Sequence, residues 1–502
     1  MISRRSFIKR SFAAGAAAMV APAIYAKGTS ALPTQLVDFD ALGLSQLIKN
    51  KEVSPKEVVM ATINRIEALD GKLNAINTPT FEKALETVKN INPDAPFAGV
   101  PFVMKDNINY AGVKTTNGSK LFENNVAKES AQLTKAYEKA GFVILGKTNM
   151  PEFGLAPTTE SVLLKPAHNP WNTEYSSGGS SGGSSISVAA GYLPLAHASD
   201  GGGSIRIPAS SCGIFGLKPS RMRMLPGSSD QLEFMVDNCV SRTVRDSAML
   251  FSLTQNPANP ANLKPVGFVS GPSKRRLTIG LCMKNYFGEL PHPEIQKAIE
   301  DTAKLLESLG HTVIEVKNPV TGEFEDQFLS LFAAKMVKTA AFVQQMTGKP
   351  AAETGLLEPF TLEFDVMGRK RGNESVIKAN KYFEHKGIEV ANWMNSFDVL
   401  LTPVTKTPSP KLGYMTDSSL SFDDLSRRIF DYMSYTPVQN ALGLPGMSVP
   451  LGMSSNGLPI GSHFAAGNGD EQTLLELAYE LEAAKPWAHK WAPVSAKING
   501  LK

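Results

Sequence analysis

SSGGSSGGSS, residues 176–185, is the stretch on which the reading of this chain turns. Composition alone makes it a linker, because Gly/Ser runs behave as random coil and join independent units. The next residues argue otherwise. ISVAAG, residues 186–191, continues the run without a charge, and a helix of small residues is expected from Ser184 to Ala190. A linker would then hand over to a separate domain. Here a second glycine cluster arrives instead, Gly201-Gly202-Gly203-Ser204, flanked by Asp200 and Arg206. Three glycines before a serine permit close backbone approach and unusual dihedrals, as a cradle of N–H donors for a developing oxyanion requires. A solvent-exposed turn has the same composition. Asp200 and Arg206 are placed to pin the cluster by ionic hydrogen bonds.

Outward from this region, helices and strands interleave. Ser54-Pro55-Lys56-Glu57 supplies an N-cap, a first-turn proline and a capping-box acid, after which Val59, Ile63 and Ile66 recur on one helix face. Residues 277–281 read as a strand, 294–309 as a helix closed by Gly310, and 312–316 as another strand, a βαβ unit with parallel pairing. Short strands are expected at 399–401, 447–449 and 458–460, with Asn456-Gly457 turning between the last two. The fold class is α/β, a mixed sheet covered by helices.

The first residues carry an address rather than structure. MISRRSFIKRSFAAGAAAMVAPAIYA has a basic start, a short Ala-rich apolar stretch and a small residue, Ala26, at a cleavage point. Ser3-Arg4-Arg5-Ser6-Phe7-Ile8-Lys9 fits the twin-arginine export pattern, and the uncharged run from Ser11 to Ala26 is short of the ~20 residues of a membrane span. The expectation is a cleaved signal over residues 1–26, a single domain over 27–502, and work in the periplasm or cell envelope without membrane insertion. The signal holds four of the 51 basic residues and no acid, so the formal charge of +4 belongs to it, and the remainder is balanced against 47 acidic residues. A neutral mature chain offers no electrostatic case for nucleic acid as partner. Cys212, Cys239 and Cys282 are too few for a disulfide framework and are expected as buried free thiols, although one bridge would be compatible with the count. A homo-oligomer is compatible with the sequence.

Two motif matches fail on context. Residues 141–148, GFVILGKT, fit the P-loop expression, but Phe142-Val143-Ile144-Leu145 is an apolar run whose N–H groups belong in a sheet ladder, not around phosphate. Gly178 to Gly182 and Gly179 to Gly183 both satisfy G-x-S-x-G, yet no strand precedes them as a nucleophile elbow needs. The seven histidines stand singly, with no metal-ligand spacing; His197 lies nearest the glycine-rich region.

With those set aside, the chain closely resembles the amidase signature family. The resemblance rests on GGSSGGSS (178–185), SDGGGSIRIPASSCGIFGLKPS (199–220), GVPFVMKDN (99–107), GKTNMPEFG (146–154), FDVLLTPV (397–404) and the segment 436–461. It implies the amidase signature fold, a large mixed twisted sheet with helices on both faces, and a Ser–cisSer–Lys triad. In this chain Ser204 matches the nucleophile, Ser180 the bridging cis-serine and Lys105 the base. The backbone N–H groups of Gly201, Gly202, Gly203 and Ser204 match the oxyanion hole, with Asp200, Arg206 and Ser181 supporting the loops. No metal or organic cofactor is implied. Lys105 ends the apolar run Val100 to Met104, where desolvation lowers a lysine pKa; a surface lysine at a strand end has the same local sequence.

The implied activity is hydrolysis of a small-molecule amide through a seryl acyl-enzyme. Two alternatives share the motifs: the glutaminase subunit of a tRNA-dependent amidotransferase, against which the export signal argues, and a non-catalytic binding protein, against which the filled triad positions argue. The chain departs from the family at Gly201, where a Thr or β-branched residue is common, and at 234–242, FMVDNCVSR, which lacks the Asp-Gln-x-Gly-Pro form. This variant resembles amidases acting on 6-aminohexanoate oligomers. The resemblance also implies that segments around 320–440 are pocket-forming, and these diverge most across the family.

Overall fold

The alternating and fully apolar runs assemble into two sheets, and the small-residue segments form helices that pack directly on them. The computed structural model describes residues 36–227 and 234–501. The expected signal, its cleavage point at Ala26 and the boundary with the following domain lie outside these residues. The main sheet has eight strands, in spatial order Thr312–Glu315, Thr278–Leu281, Val399–Pro403, Pro459–Ala466, Gly446–Met453, Phe215–Lys218, Val236–Ser241 and Leu195–Asp200. The first three are parallel to one another and every later junction is antiparallel. A three-stranded sheet, Ile76–Pro79, Val143–Thr148 and Pro101–Lys105, sets its last strand against Leu195–Asp200. In place of a strand ladder at that seam, the Lys105 backbone N–H donates to His197 Nδ1 at 3.2 Å.

The local signals act as their chemistry requires. Helix Pro55–Leu73 opens with a reciprocal capping box: Glu57 N–H donates to Ser54 Oγ at 3.2 Å, and Ser54 N–H to the Glu57 carboxylate at 2.7 Å. Val59, Ile63 and Ile66 are buried on its inner face. Helix Pro293–Ser308 connects two strands that pair in parallel, completing the βαβ unit. Gly457, at φ 78°, turns the chain between Gly446–Met453 and Pro459–Ala466, both longer than the short apolar runs that signal them. The P-loop look-alike enters strand Val143–Thr148, and Val143 N–H donates to Val100 O at 2.8 Å. All three cysteines are free and buried.

Two long helices, Glu323–Thr347 and Pro359–Met394, are not signalled by any local pattern read above. They pack against each other and deliver Phe324, Phe328, Phe364 and Phe383 to a core shared with Met433 and Phe430. Gly372, with φ 67° and ψ 177°, interrupts the second one. Among the described residues no helix is long and apolar enough to cross a membrane.

Candidate active site

Strand Pro101–Lys105 is buried along its whole length, so its final side chain is drawn into the interior. Lys105 is 1% exposed. Its Nζ lies 2.7 Å from Ser180 Oγ, 3.0 Å from Ser199 Oγ and 3.4 Å from the Ser199 carbonyl oxygen. Burial pushes its pKa down to about 7, against the opposing pull of the Asp237 and Asp200 carboxylates. A substantial fraction of this amine is therefore neutral at neutral pH.

Ser180 is held by the Gly/Ser run, every residue of which, 176–185, is buried. The peptide between Gly179 and Ser180 is cis. The glycines are there for close approach. A Cβ on Gly182 would stand 2.3 Å from Thr159 Oγ1, and one on Gly183 would stand 2.4 Å from the Asn149 backbone nitrogen. The serines satisfy the polar groups brought inside. Ser181 Oγ donates to the Ser199 carbonyl at 3.1 Å and accepts from Ser199 N–H at 3.3 Å, tying the run to strand Leu195–Asp200. Ser184 Oγ donates to His197 O at 2.7 Å. The small-residue helix, Gly182–Ala189, begins two residues earlier than the expected Ser184, because Gly182 and Gly183 form its tightly packed first turn.

Asp200 organises the second glycine cluster. Its carboxylate accepts from Gly203 N–H at 2.7 Å and Ile205 N–H at 3.1 Å, and from Arg206 Nε and Nη2, both at 2.9 Å. Burial alone would raise the Asp200 pKa, but the Arg206 guanidinium and the other donors outweigh it and hold the carboxyl below the usual range. Arg206, fully buried, also donates to Gln439 Oε1 at 3.2 Å, Asn440 Oδ1 at 2.6 Å and His463 Nε2 at 3.0 Å. His463 therefore presents a lone pair to Arg206, in keeping with burial and the nearby guanidinium pushing its pKa well down.

This arrangement corrects one expectation. Gly203 cannot offer its N–H outward, since Asp200 takes it; its own role is close contact, a Cβ there meeting Thr436 Oγ1 at 2.3 Å. The backbone N–H groups of Gly201, Gly202 and Ser204 have no partner among the described residues.

Lys105, Ser180, Gly201, Gly202 and Ser204 line one cavity of about 550 Å³. Ser181, Gly203, Asp200 and Arg206 do not reach it and act from behind. Helix Glu323–Thr347 contributes Phe328 and Phe332 to the lining together with Lys335 and Lys338, and Met235 and Met433 join them, so an aromatic and apolar part of the cavity lies beside charged and amide groups. Asn107 closes the polar side, its Nδ2 donating to Ser199 Oγ at 3.0 Å.

Four neighbours of Lys105 fall outside the site residues expected from sequence: Ser199, Asn107, His197 and Asp237. His197 and Ser199 alternate on one strand, which puts both on the face toward Lys105, and that period-two signal was available. Asp237 was not, because it reaches the site only through antiparallel pairing, as the residue opposite Ser199.

Residues 57–475 match the Amidase family. The chain is 38% identical over 461 residues to AmiC of Mycobacterium leprae (strain TN), covering 90% of this chain and 96% of that one. It is 32% identical over 475 residues to the 6-aminohexanoate-cyclic-dimer hydrolase of Pseudomonas sp. (strain NK87), covering 89% and 95%. The solved structure of a 6-aminohexanoate cyclic dimer hydrolase superposes with a TM-score of 0.85 at 29% identity, covering 91% of this chain and 99% of that one.

Proposed function

The chain belongs to the amidase family, and from that membership and the site geometry we propose that it cleaves amides through Ser204, with Ser180 and Lys105 as its proton route. As an amidase it hydrolyses a carboxylic amide C–N bond to an acid and an amine or ammonia. Neutral Lys105 accepts a proton from Ser180 as Ser180 takes one from Ser204, whose oxygen then attacks the carbonyl carbon. The oxyanion formed faces the N–H groups of Gly201, Gly202 and Ser204, a kind of contribution worth about 3 to 4 kcal/mol per key donor. The C–N bond breaks as Ser180 returns a proton to the leaving nitrogen, leaving an ester on Ser204. Water enters along the reversed proton route and releases the acid. The observation that carries this reading is the 2.7 Å contact between a fully buried lysine amine and Ser180 Oγ.

A substrate with an apolar body suits the wall formed by Phe328, Phe332, Met235 and Met433. The similarity to proteins named 6-aminohexanoate-cyclic-dimer hydrolase favours an amide with methylene segments. Residues 1–26 act in this proposal as a twin-arginine-type signal that delivers the folded enzyme to the periplasm; its support is the Ser3 to Lys9 motif. Incubating the purified protein with a panel of aliphatic and aryl amides, beside Ser204→Ala, tests the mechanism. Hydrolysis should vanish in the variant, and mass spectrometry should find an acyl group on Ser204 of the wild type. Undiminished turnover by Ser204→Ala would refute it. Replacing Arg4 and Arg5 by lysine should leave the enzyme in the cytoplasm, and unchanged delivery would refute the export route.

A further inference from the structure

His197 and Asp237 are fully buried beside the base and take no part in the proton route. His197 stands on strand Leu195–Asp200, with Nδ1 3.2 Å from the Lys105 backbone nitrogen and Nε2 3.0 Å from Asp237 Oδ1. A peptide N–H can only donate, so Nδ1 carries the lone pair and the ring proton sits on Nε2, donated to Asp237. Protonating the ring would set an N–H against the N–H of Lys105. The imidazole is therefore kept neutral, and burial works in the same direction, lowering its pKa against the pull of Asp237. The Asp237 charge is consequently not cancelled by the histidine.

Asp200 is held by Arg206, and Lys147, on the adjacent strand, pairs with Asp106 at 3.4 Å. The Tyr137 ring packs on the imidazole, with centroids 5.9 Å apart. Asp237, which also accepts from Gly227 N–H at 3.2 Å, comes first among the charges opposing the effect of burial on the amine.

We propose that His197 and Asp237 are a positioning pair for Lys105: the imidazole anchors the strand end from which the lysine departs, and the carboxylate sets the charge on the amine. The anchor replaces a ladder bond at the seam between two sheets. The inference rests on Lys105 as the base.

Three variants separate its parts. His197→Asn places Oδ1 where Nδ1 stands, keeping an acceptor for Lys105 N–H and losing Asp237. His197→Gln places Nε2 near the imidazole Nε2, keeping Asp237 and losing the anchor. Asp237→Asn removes the charge. The readouts are pH profiles of kcat/KM and kcat, with an amide that the wild-type protein hydrolyses, and the melting temperature of each variant. Asp237→Asn should move the acid limb of kcat/KM to lower pH by about half a unit or more, because the protonated amine loses a counter-charge. His197→Asn should keep kcat within about threefold, and His197→Gln should lose about tenfold or more in kcat with KM held. An acid limb unmoved in Asp237→Asn, or equal losses in both His197 variants, would overturn the proposal. Should Asp237→Asn fail to fold, the His197 pair decides alone. Full activity in Lys105→Ala would instead overturn the assignment of the base itself.

Discussion

Ser199 meets Lys105 Nζ twice, through its hydroxyl oxygen at 3.0 Å and its carbonyl oxygen at 3.4 Å. A neutral amine has two N–H bonds and one lone pair. With both N–H bonds directed at Ser199, the lone pair is left facing Ser180 at 2.7 Å, the direction a proton acceptor needs. Asn107 donates to the same Ser199 hydroxyl at 3.0 Å and so discourages it from donating to the lysine. Replacing Ser199 by Ala should lower kcat by about tenfold with little change in KM, since only the orientation of the base is relaxed. Steady-state kinetics on the variant check this, and an unchanged kcat would contradict it.

With Lys105 as the proposed base, only its free amine is active, so kcat/KM should rise with pH through a limb near 7, the value to which burial brings this lysine. Lys105→Arg retains charge and length but stays protonated at every accessible pH. Its kcat/KM should fall by about 10² to 10⁴ and lose that limb. A pH series on wild type and variant is the measurement.

A methyl group on Gly183 has nowhere to go, because it would lie within 2.4 to 2.8 Å of three backbone atoms, of Asn149 and Ala75. Gly183→Ala should destabilise the protein by about 1 to 3 kcal/mol, the usual cost of overpacking. Thermal denaturation would register it. Equal stability would mean that the Gly/Ser run yields as a linker would.

Removing Arg206 leaves the Asp200 carboxylate buried without its bidentate partner. Arg206→Met should cost about 3 to 5 kcal/mol, as breaking one side of a buried pair does. Activity in the folded fraction should fall as well, because Asp200 also holds the amides of Gly203 and Ile205 on either side of Ser204. Denaturant unfolding and kcat on the same preparation separate the two effects.

Gly201 stands beside a cavity-lining methionine: a Cβ there would meet Met235 Cγ at 3.0 Å. Gly201→Thr should push that flexible side chain into the cavity, raising KM for bulky amides more than for small ones. A comparison of two amides of different size would show it.

Much of the candidate site is legible because its motifs match those of the amidase signature family, although the residues come from distant parts of the chain. Lysine at the end of an apolar strand, serine inside a glycine run, and aspartate and arginine around a glycine cluster each leave a structural alternative open on local sequence alone, and the family resemblance supplies their expected roles. Gly203 shows where that logic stops. Its place in the cluster suggested an outward donor, while its N–H is turned to Asp200 three residues earlier. In sequence His197 stands out only as the histidine nearest the glycine-rich region, because neither Lys105 nor Asp237 lies near it in the chain. The aromatic wall has no local signal either, since helices Glu323–Thr347 and Pro359–Met394 bear on the site only through packing, and the resemblance points to the region without naming its residues.

The α/β class, the caps and turns and the βαβ unit follow from sequence, because periodicity, capping and turn chemistry act over a few residues, whereas the residues expected in the site come from the family resemblance. That SSGGSSGGSS is solid interior rather than tether emerges from packing between distant segments. Glycine imposes no conformation of its own, and whether it serves as slack or as close contact depends on what lies within a methyl's reach; here Thr158, Thr159 and Asn149 already fill that space.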